Sequence, residues 1–219
     1  MEHDLPLLRH TGLFEGMSAD DLAAVIGCLD ARERHFFRKE TVLAPKGPAN
    51  LIGIVLEGRV SIFKEDRMGN QSLMGEAGPG QIFGEVFACA RNASLPVRVE
   101  ALVDCRVLFL DYRRMITTCS SSCEFHHRLI ENMLSILAHK AMALSQKIEH
   151  ISKRTTREKL LSFLEDCMEQ AGSKSFEIAF NRQQLADYLC VDRSAMSSEL
   201  GKLRDSGVLK YHRNHFTFE

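Results

Sequence analysis

Residues 181–209 read NRQQLADYLCVDRSAMSSELGKLRDSGVL. Two short amphipathic helices meeting at a tight corner account for that pattern. Asn181 is a strong N-cap with Gln184 three residues on, so the first helix starts at a capping box. Leu185, Ala186 and Leu189 share its inward face. Asp192 is placed to cap a second helix, along which Met196, Leu200 and Leu203 make an apolar stripe that must pack on the first. The opposite face presents Arg193, Ser194, Ser197, Ser198 and Lys202. A helix lying in a DNA major groove reads base edges with its N-terminal residues. Arg193 is thus placed for guanine O6 and N7 or for a phosphate, and the serines for base edges or phosphates. The bland alternative is a structural helix pair.

Two neighbours favour the DNA reading. Downstream, VLKYHRNHFTFE holds two alternating runs around Arg213-Asn214, as a hairpin would. Lys210, His212 and Arg213 on it suit a wing that touches the DNA backbone beside the recognition helix. Upstream, Ile130, Leu134, Leu137, Ala141, Leu144, Ile148 and Ile151 are spaced 4, 3, 4, 3, 4, 3, an a/d seam with no Gly or Pro in residues 112–171. A helix of about 30 residues is about 45 Å long, more than one small β-domain needs as a cover. A two-helix dimer seam is therefore expected, the alternative being a long helix packed on its own β-domain. A dimer would supply the two copies that a two-fold symmetric site requires. Between seam and helix pair, a second amphipathic helix is expected to stop at Ala171-Gly172-Ser173, followed by the strand-like FEIAF.

The first half has another texture. Ser18 with Asp21 at N3, followed by Leu22, Val25, Ile26 and Leu29, predicts a helix over 19–29. From Arg32 to Leu110, runs such as LIGIVLEGRVSIFKED and VRVEALVDCRVLFLDY are of strand length and punctuated by Gly turns, including Gly69-Asn70, which means a sandwich or barrel. The net charge is −1, and from residue 152 onward eleven Lys and Arg face ten Asp and Glu. Only a local basic surface could hold a polyanion. No run approaches the ~20 apolar residues of a membrane span, and the N-terminus lacks a leader's apolar region. The seven cysteines are odd in number and scattered, which favours reduced thiols. A cytoplasmic protein with no membrane contact is expected.

In order and spacing the chain resembles the CRP/FNR family of bacterial transcription regulators over residues 7–218. The resemblance is carried by LEGRVSIF, GPGQIFGEV, CRVLFLDYRRM and RQQLADYLCVDRSAMSSELGKLRDSGVL. It implies an α+β chain in three parts: a double-stranded, jelly-roll-like β-roll sensor of the cyclic-nucleotide-binding type (1–118), a long dimerisation helix (119–152) and a winged helix-turn-helix (153–219). It implies a homodimer on double-stranded DNA, a small-molecule effector, and RNA polymerase as partner where the regulator activates. By resemblance Arg182 and Gln183 would bind phosphate, and Ser197 matches a serine of FNR-type members. Ser194 and Ser198 replace the Glu and Arg with which well-known members read their operators, so those operator sequences do not carry over. Cys190 stands where the family's turn often has Gly, and a non-Gly residue at positive φ costs about 1 kcal/mol.

The sensor departs from the nucleotide-binding pattern. Gly84 and Glu85, with Val86 beside them, match the family's Gly-Glu pair, but Leu95 and Pro96 fall where an Arg-Ser pair would hold the cyclic phosphate. Ala143 and Leu144 fall where the long helix would offer adenine a polar pair. An anionic nucleotide would lose its charge partner and two hydrogen bonds, each worth about 1 kcal/mol or more when buried, which argues against cyclic AMP and for an apolar pocket. Arg91 or Arg98 could substitute in principle, though Arg98 falls on the solvated side of an alternating strand. Iron–sulfur members cluster cysteines near the N-terminus, where Cys28 is alone, which argues against such a cluster. His126, His127 or His139 could serve a haem, but surface histidines on a helix explain them as well. Cys119 and Cys123 with His126 and His127 could sense thiol chemistry or metal, yet the spacing is no standard zinc pattern and no metal is expected. A cupin-like enzyme would need converging histidines, and residues 32–110 hold one, His35. A protein-binding module that lost DNA reading is the remaining alternative.

Overall fold

The computed structural model describes residues 2–65, 68, 71–90, 94–117 and 124–219. Its chain order is α1 (Leu5–Arg9), α2 (Ala19–Cys28), β1 (Arg32–Phe36), β2 (Thr41–Leu43), β3 (Leu51–Glu57), β4 (Val60–Glu65), β5 (Gln71–Ala77), β6 (Ile82–Phe83), α3 (Glu85–Cys89), β7 (Arg98–Ala101), β8 (Cys105–Asp111), α4 (Tyr112–Ile116) and α5 (Glu124–Ser152). Then follow α6 (Thr156–Ala171), β9 (Ser175–Glu177), α7 (Arg182–Leu189), α8 (Arg193–Asp205), β10 (Leu209–His212) and β11 (His215–Phe218). Two compact units result, Met1–Ala138 and His139–Glu219.

In the first unit two four-stranded antiparallel sheets, ordered β1-β8-β3-β6 and β2-β7-β4-β5, form the β-roll. Strands β3 and β8 read as nearly continuous apolar runs because both faces are covered. Val55, Val107 and Phe109 face the core between the sheets, with Val60, Phe83, Val99 and Ala101. Ile52, Ile54, Leu108 and Leu110 face a second core built with Leu8, Leu22, Ile26, Leu129 and Met133 of the helices. Gly53 sits beneath the Phe83 ring, where a Cβ would lie 2.2 Å from Cζ. That contact excludes any side chain.

Helix ends follow the capping chemistry. Ser18 Oγ accepts from the Asp21 N–H at 3.2 Å and Asp21 accepts in return from the Ser18 N–H, closing the box that starts α2. Thr155 and Glu158 do the same for α6, which ends on Gly172 at φ 61°. The first half of α5 is tied to the N-terminal segment: the Asn132 amide donates to the carbonyls of Leu13 and Glu15, both at 3.0 Å, and Arg128 donates to that of Gly16.

In the second unit, Leu160 and Leu164 of α6 pack with Leu185, Ala186 and Leu189 of α7 and Met196, Leu200 and Leu203 of α8 over the three-stranded sheet β10-β11-β9. The end of α5 joins this unit through His150, 3% exposed. Its Nδ1 lies 3.0 Å from Ser162 Oγ and its ring stands edge-on to Phe163.

Candidate nucleic-acid interface

The helix pair is assembled by its caps. Asn181 Oδ1 accepts from the Gln184 N–H at 3.0 Å while Gln184 Oε1 accepts from the Asn181 N–H at 2.9 Å. Helix α7 ends at Cys190 in the left-handed region (φ 52°, ψ 52°), so the corner where the family often has Gly is left-handed here too. Asp192 Oδ1 then accepts from the N–H groups of Ser194 (2.8 Å) and Ala195 (3.0 Å) and from the Ser194 hydroxyl (2.5 Å). Those donors, the hydroxyl first, hold the Asp192 carboxyl below its ordinary value. All six residues of the two apolar stripes are 0 to 1% exposed, which fixes the outward face of α8.

Arg193, Ser194, Ser197, Ser198 and Lys202 are all exposed on that face. Their side chains are differently engaged. The Ser197 hydroxyl donates to the Arg193 carbonyl at 2.8 Å, and Lys202 pairs with Glu199 at 2.5 Å. Arg193 at the start of α8 carries no ion pair among the described residues.

Arg182 departs from a purely solvent-facing phosphate ligand. Its guanidinium lies over the rings of Tyr211 (5.0 Å) and Phe216 (5.1 Å), and Nη2 donates to the Arg213 carbonyl at 2.7 Å. Burial there pushes its pKa down. The side chain thus straps α7 to the wing. The wing turns at Arg213-Asn214 between the paired His212 and His215, with Arg213 at φ 52°. Arg182, Gln183, Arg193 and Arg213 together line an open depression of about 750 Å³, with Glu177, Asn181, His212, Asn214 and His215. Three arginines against one glutamate make its wall basic although the whole segment is nearly neutral. Glu177 and His215 were missed from sequence, because only the strand register pairs them across β9 and β11.

The residues expected around an effector are differently placed. Gly84 caps α3 at φ 82°, where a Cβ would meet the Leu51 carbonyl oxygen at 2.8 Å. Glu85 is 2% and Leu95 2% exposed, Leu95 inside the core between the sheets, while Val86 and Pro96 are exposed. Ala143 and Leu144 are exposed in the second unit. Arg98 points to the outer side of β7: it pairs with Glu100 at 3.0 Å, donates to Gln71 at 3.2 Å and lies 5.8 Å over Phe63. A depression of about 570 Å³ in the first unit is lined instead by Asp30, Arg32, Arg34, Leu51, Phe109, Asp111 and Arg114, with Asp30 pairing Arg32 at 2.9 Å and Arg114 at 3.5 Å.

Along α5, Leu134, Ala141, Leu144 and Ile148 are exposed, Ile130 and Ile151 half-buried, and Leu137 packs partly on the first unit's core. One reading needs correction: His126 is no surface histidine but 3% exposed, because its ring turns toward α2. His127 is exposed beside Glu131 at 3.2 Å, and His139 is exposed. Arg91, Gly69-Asn70, Cys119 and Cys123 lie outside the described residues. Among the described residues no three His, Cys, Asp or Glu side chains come together as metal ligands would, and no helix is long and apolar enough to cross a membrane.

A cyclic nucleotide-binding domain family matches residues 33–122 and a Crp-like helix-turn-helix domain family matches residues 158–218. The chain is 20% identical over 184 residues to the CRP-like protein Clp of Xanthomonas campestris pv. campestris, covering 82% of this chain and 80% of that one. It is 27% identical over 149 residues, 66% of its length, to glutaminase 2 of Bradyrhizobium diazoefficiens, but spans only 22% of that protein. Among solved structures, the c-di-GMP responsive global regulator CLP of Xanthomonas campestris superposes with a TM-score of 0.59 at 18% identity, over 92% of this chain and 99% of that one. At that identity the likeness speaks for the fold. With a β-roll matched to the first family, a capped helix pair and wing matched to the second, and the two in this order on one chain, the protein belongs to the CRP/FNR family of transcription regulators.

Proposed function

We propose that this regulator works as a cytoplasmic homodimer that reads a two-fold symmetric DNA site with α8 and responds to a small effector other than cyclic AMP. The observation that carries the DNA part is the basic depression, where Arg193 at the head of α8, Gln183 at the head of α7 and Arg213 at the wing tip border one open surface. A recognition helix entering the groove there would present Arg193 to a guanine edge, with Ser194, Ser197 and Ser198 on the same face and Lys202 nearer its end. Gln183 and Arg213 would take phosphates, and Arg182 would hold the wing at the right distance.

The dimer part is supported by α5, where Leu134, Leu144 and Ile148 stand 62%, 59% and 54% exposed in one stripe. We assign residues 1–118 to sensing, 119–152 to dimerisation and 153–219 to DNA binding. Against cyclic AMP stands Leu95, in the apolar core where a phosphate-binding arginine would be needed, with Arg98 committed to Glu100 outside. An effector acts only through its differential affinity for the DNA-competent dimer geometry. Where the regulator activates, RNA polymerase is its further partner.

Selection from fragmented DNA of the source genome, with wild type beside Arg193→Ala at fixed moderate salt, tests the reading. Wild type should recover sites with half-sites about one helical turn apart, and Arg193→Ala should bind them ~1 to 3 kcal/mol more weakly. Undiminished operator affinity in Arg193→Ala would refute this docking of α8.

A further inference from the structure

Cys28 and His126 lie 98 residues apart in sequence and meet at the junction of α2 and α5. Cys28 Sγ is 3.9 Å from His126 Nε2. The two partners differ in exposure: the thiol is exposed at the last turn of α2, whereas the imidazole is 3% exposed beneath it. A buried ring nitrogen aimed at a solvent-accessible sulfur is the arrangement of an activated nucleophile, in which the base accepts the thiol proton and the attacking face stays open. Leu129 and Met133, the next inward residues of α5, are 0% and 4% exposed, so the ring's backbone is held by packing.

We propose that Cys28 is an oxidisable, modification-sensitive thiol activated by His126, with hydroperoxides as its substrate class. His126 Nε2 takes the thiol proton and the Cys28 thiolate attacks one oxygen of the peroxide. An S–O bond forms as the O–O bond breaks, and the departing hydroxide recovers the proton from the imidazolium. Sulfur gives up two electrons, and with hydrogen peroxide the products are Cys28 sulfenic acid and water, an alkyl hydroperoxide releasing its alcohol instead. The added oxygen sits on the open, solvent-facing side of Sγ, since the 3.9 Å between Sγ and Nε2 leaves no room for it. The modification is a property of the first unit and is read without DNA, so its failure and a failure of the DNA reading are separable.

Cys190 is an internal reference, since it is also exposed and its sulfur contacts the Asp187 carbonyl rather than an imidazole. Full-length protein is treated at pH 7 with hydrogen peroxide and a sulfenic-acid trap, and in parallel with iodoacetamide, and both sites are followed by peptide mass spectrometry. Cys28 is expected to react about tenfold or more faster than Cys190, whose sulfur has no imidazole beside it to take its proton. His126→Asn should bring Cys28 down to the Cys190 rate while leaving Cys190 unchanged. Equal rates in wild type overturn the proposal, as does a His126→Asn protein whose Cys28 stays fast. Should that variant unfold, seen as faster Cys190 labelling, the wild-type ratio alone decides.

Discussion

Replacing both Leu144 and Ile148 by Ala should weaken the dimer without unfolding the chain. The two side chains are 59% and 54% exposed, so little of either is in contact within one chain. Full burial of a Leu or Ile stabilises by roughly 1.5 to 3 kcal/mol, and slightly over half of that, about 0.8 to 1.8 kcal/mol, is left for a partner helix to supply. Each position occurs twice in a symmetric dimer, which gives about 1.6 to 3.6 kcal/mol per position and roughly 3 to 7 kcal/mol for the pair. At 1.4 kcal/mol per decade the dimer dissociation constant should rise at least about 100-fold. Alanine is the best helix former, so α5 itself is retained. Sedimentation velocity over a concentration series reads the dissociation constant, and circular dichroism checks helix content. A dimer of undiminished affinity in the double variant, or a wild type that stays monomeric at tens of micromolar, would refute the seam.

Arg182→Lys keeps the charge but loses the planar stack on Tyr211 and Phe216, and should lower stability of the second unit by about 0.5 to 2 kcal/mol in denaturant unfolding. Cys190→Gly removes about 1 to 2 kcal/mol of left-handed strain and returns about 0.4 to 1 kcal/mol as unfolded-chain entropy, so thermal unfolding should show no loss and a gain of up to about 1.6 kcal/mol. Asp4→Asn tests a pH linkage. Burial raises the Asp4 pKa, but the hydrogen bond and charge of Arg106 at 2.5 Å outweigh it and hold the carboxyl below 3.8. Its stabilisation is present above pH 3.8 and lost as pH falls through the lower folded value. The variant should therefore be less stable than wild type at neutral pH, and the difference should vanish in acid unfolding below that value.

Much of the second unit was legible because its signals are local. Asn181 and Gln184, Asp192 and Ser194, and the stripe Met196, Leu200, Leu203 each concern residues two to seven apart, and a helix brings such residues together whatever surrounds it. Strands β3 and β8 were readable as strands but not as to which residue faces which core, since both faces are apolar and alternation is erased. The resemblance gives Arg182 a phosphate role, and its stack on Tyr211 and Phe216 stays invisible in the sequence because those rings come from about thirty residues away, through a hairpin whose register the sequence does not print. From sequence alone His126 reads as a surface histidine, because helical periodicity orders the faces of α5 without saying that α2 lies against this one.

By itself, then, the sequence determined the elements, their caps, the heptad stripe and the order of the parts, all consequences of chain-local geometry and periodicity. Only the tertiary structure decided which polar side chains meet. Arg182, Arg193 and Arg213 gather on one surface of a segment with eleven positive and ten negative side chains, and Cys28 comes to rest against His126. The physical reason is the same in both cases. Coulombic and hydrogen-bond contacts act over a few ångströms in space, and strand register and helix packing, rather than separation along the chain, set those distances.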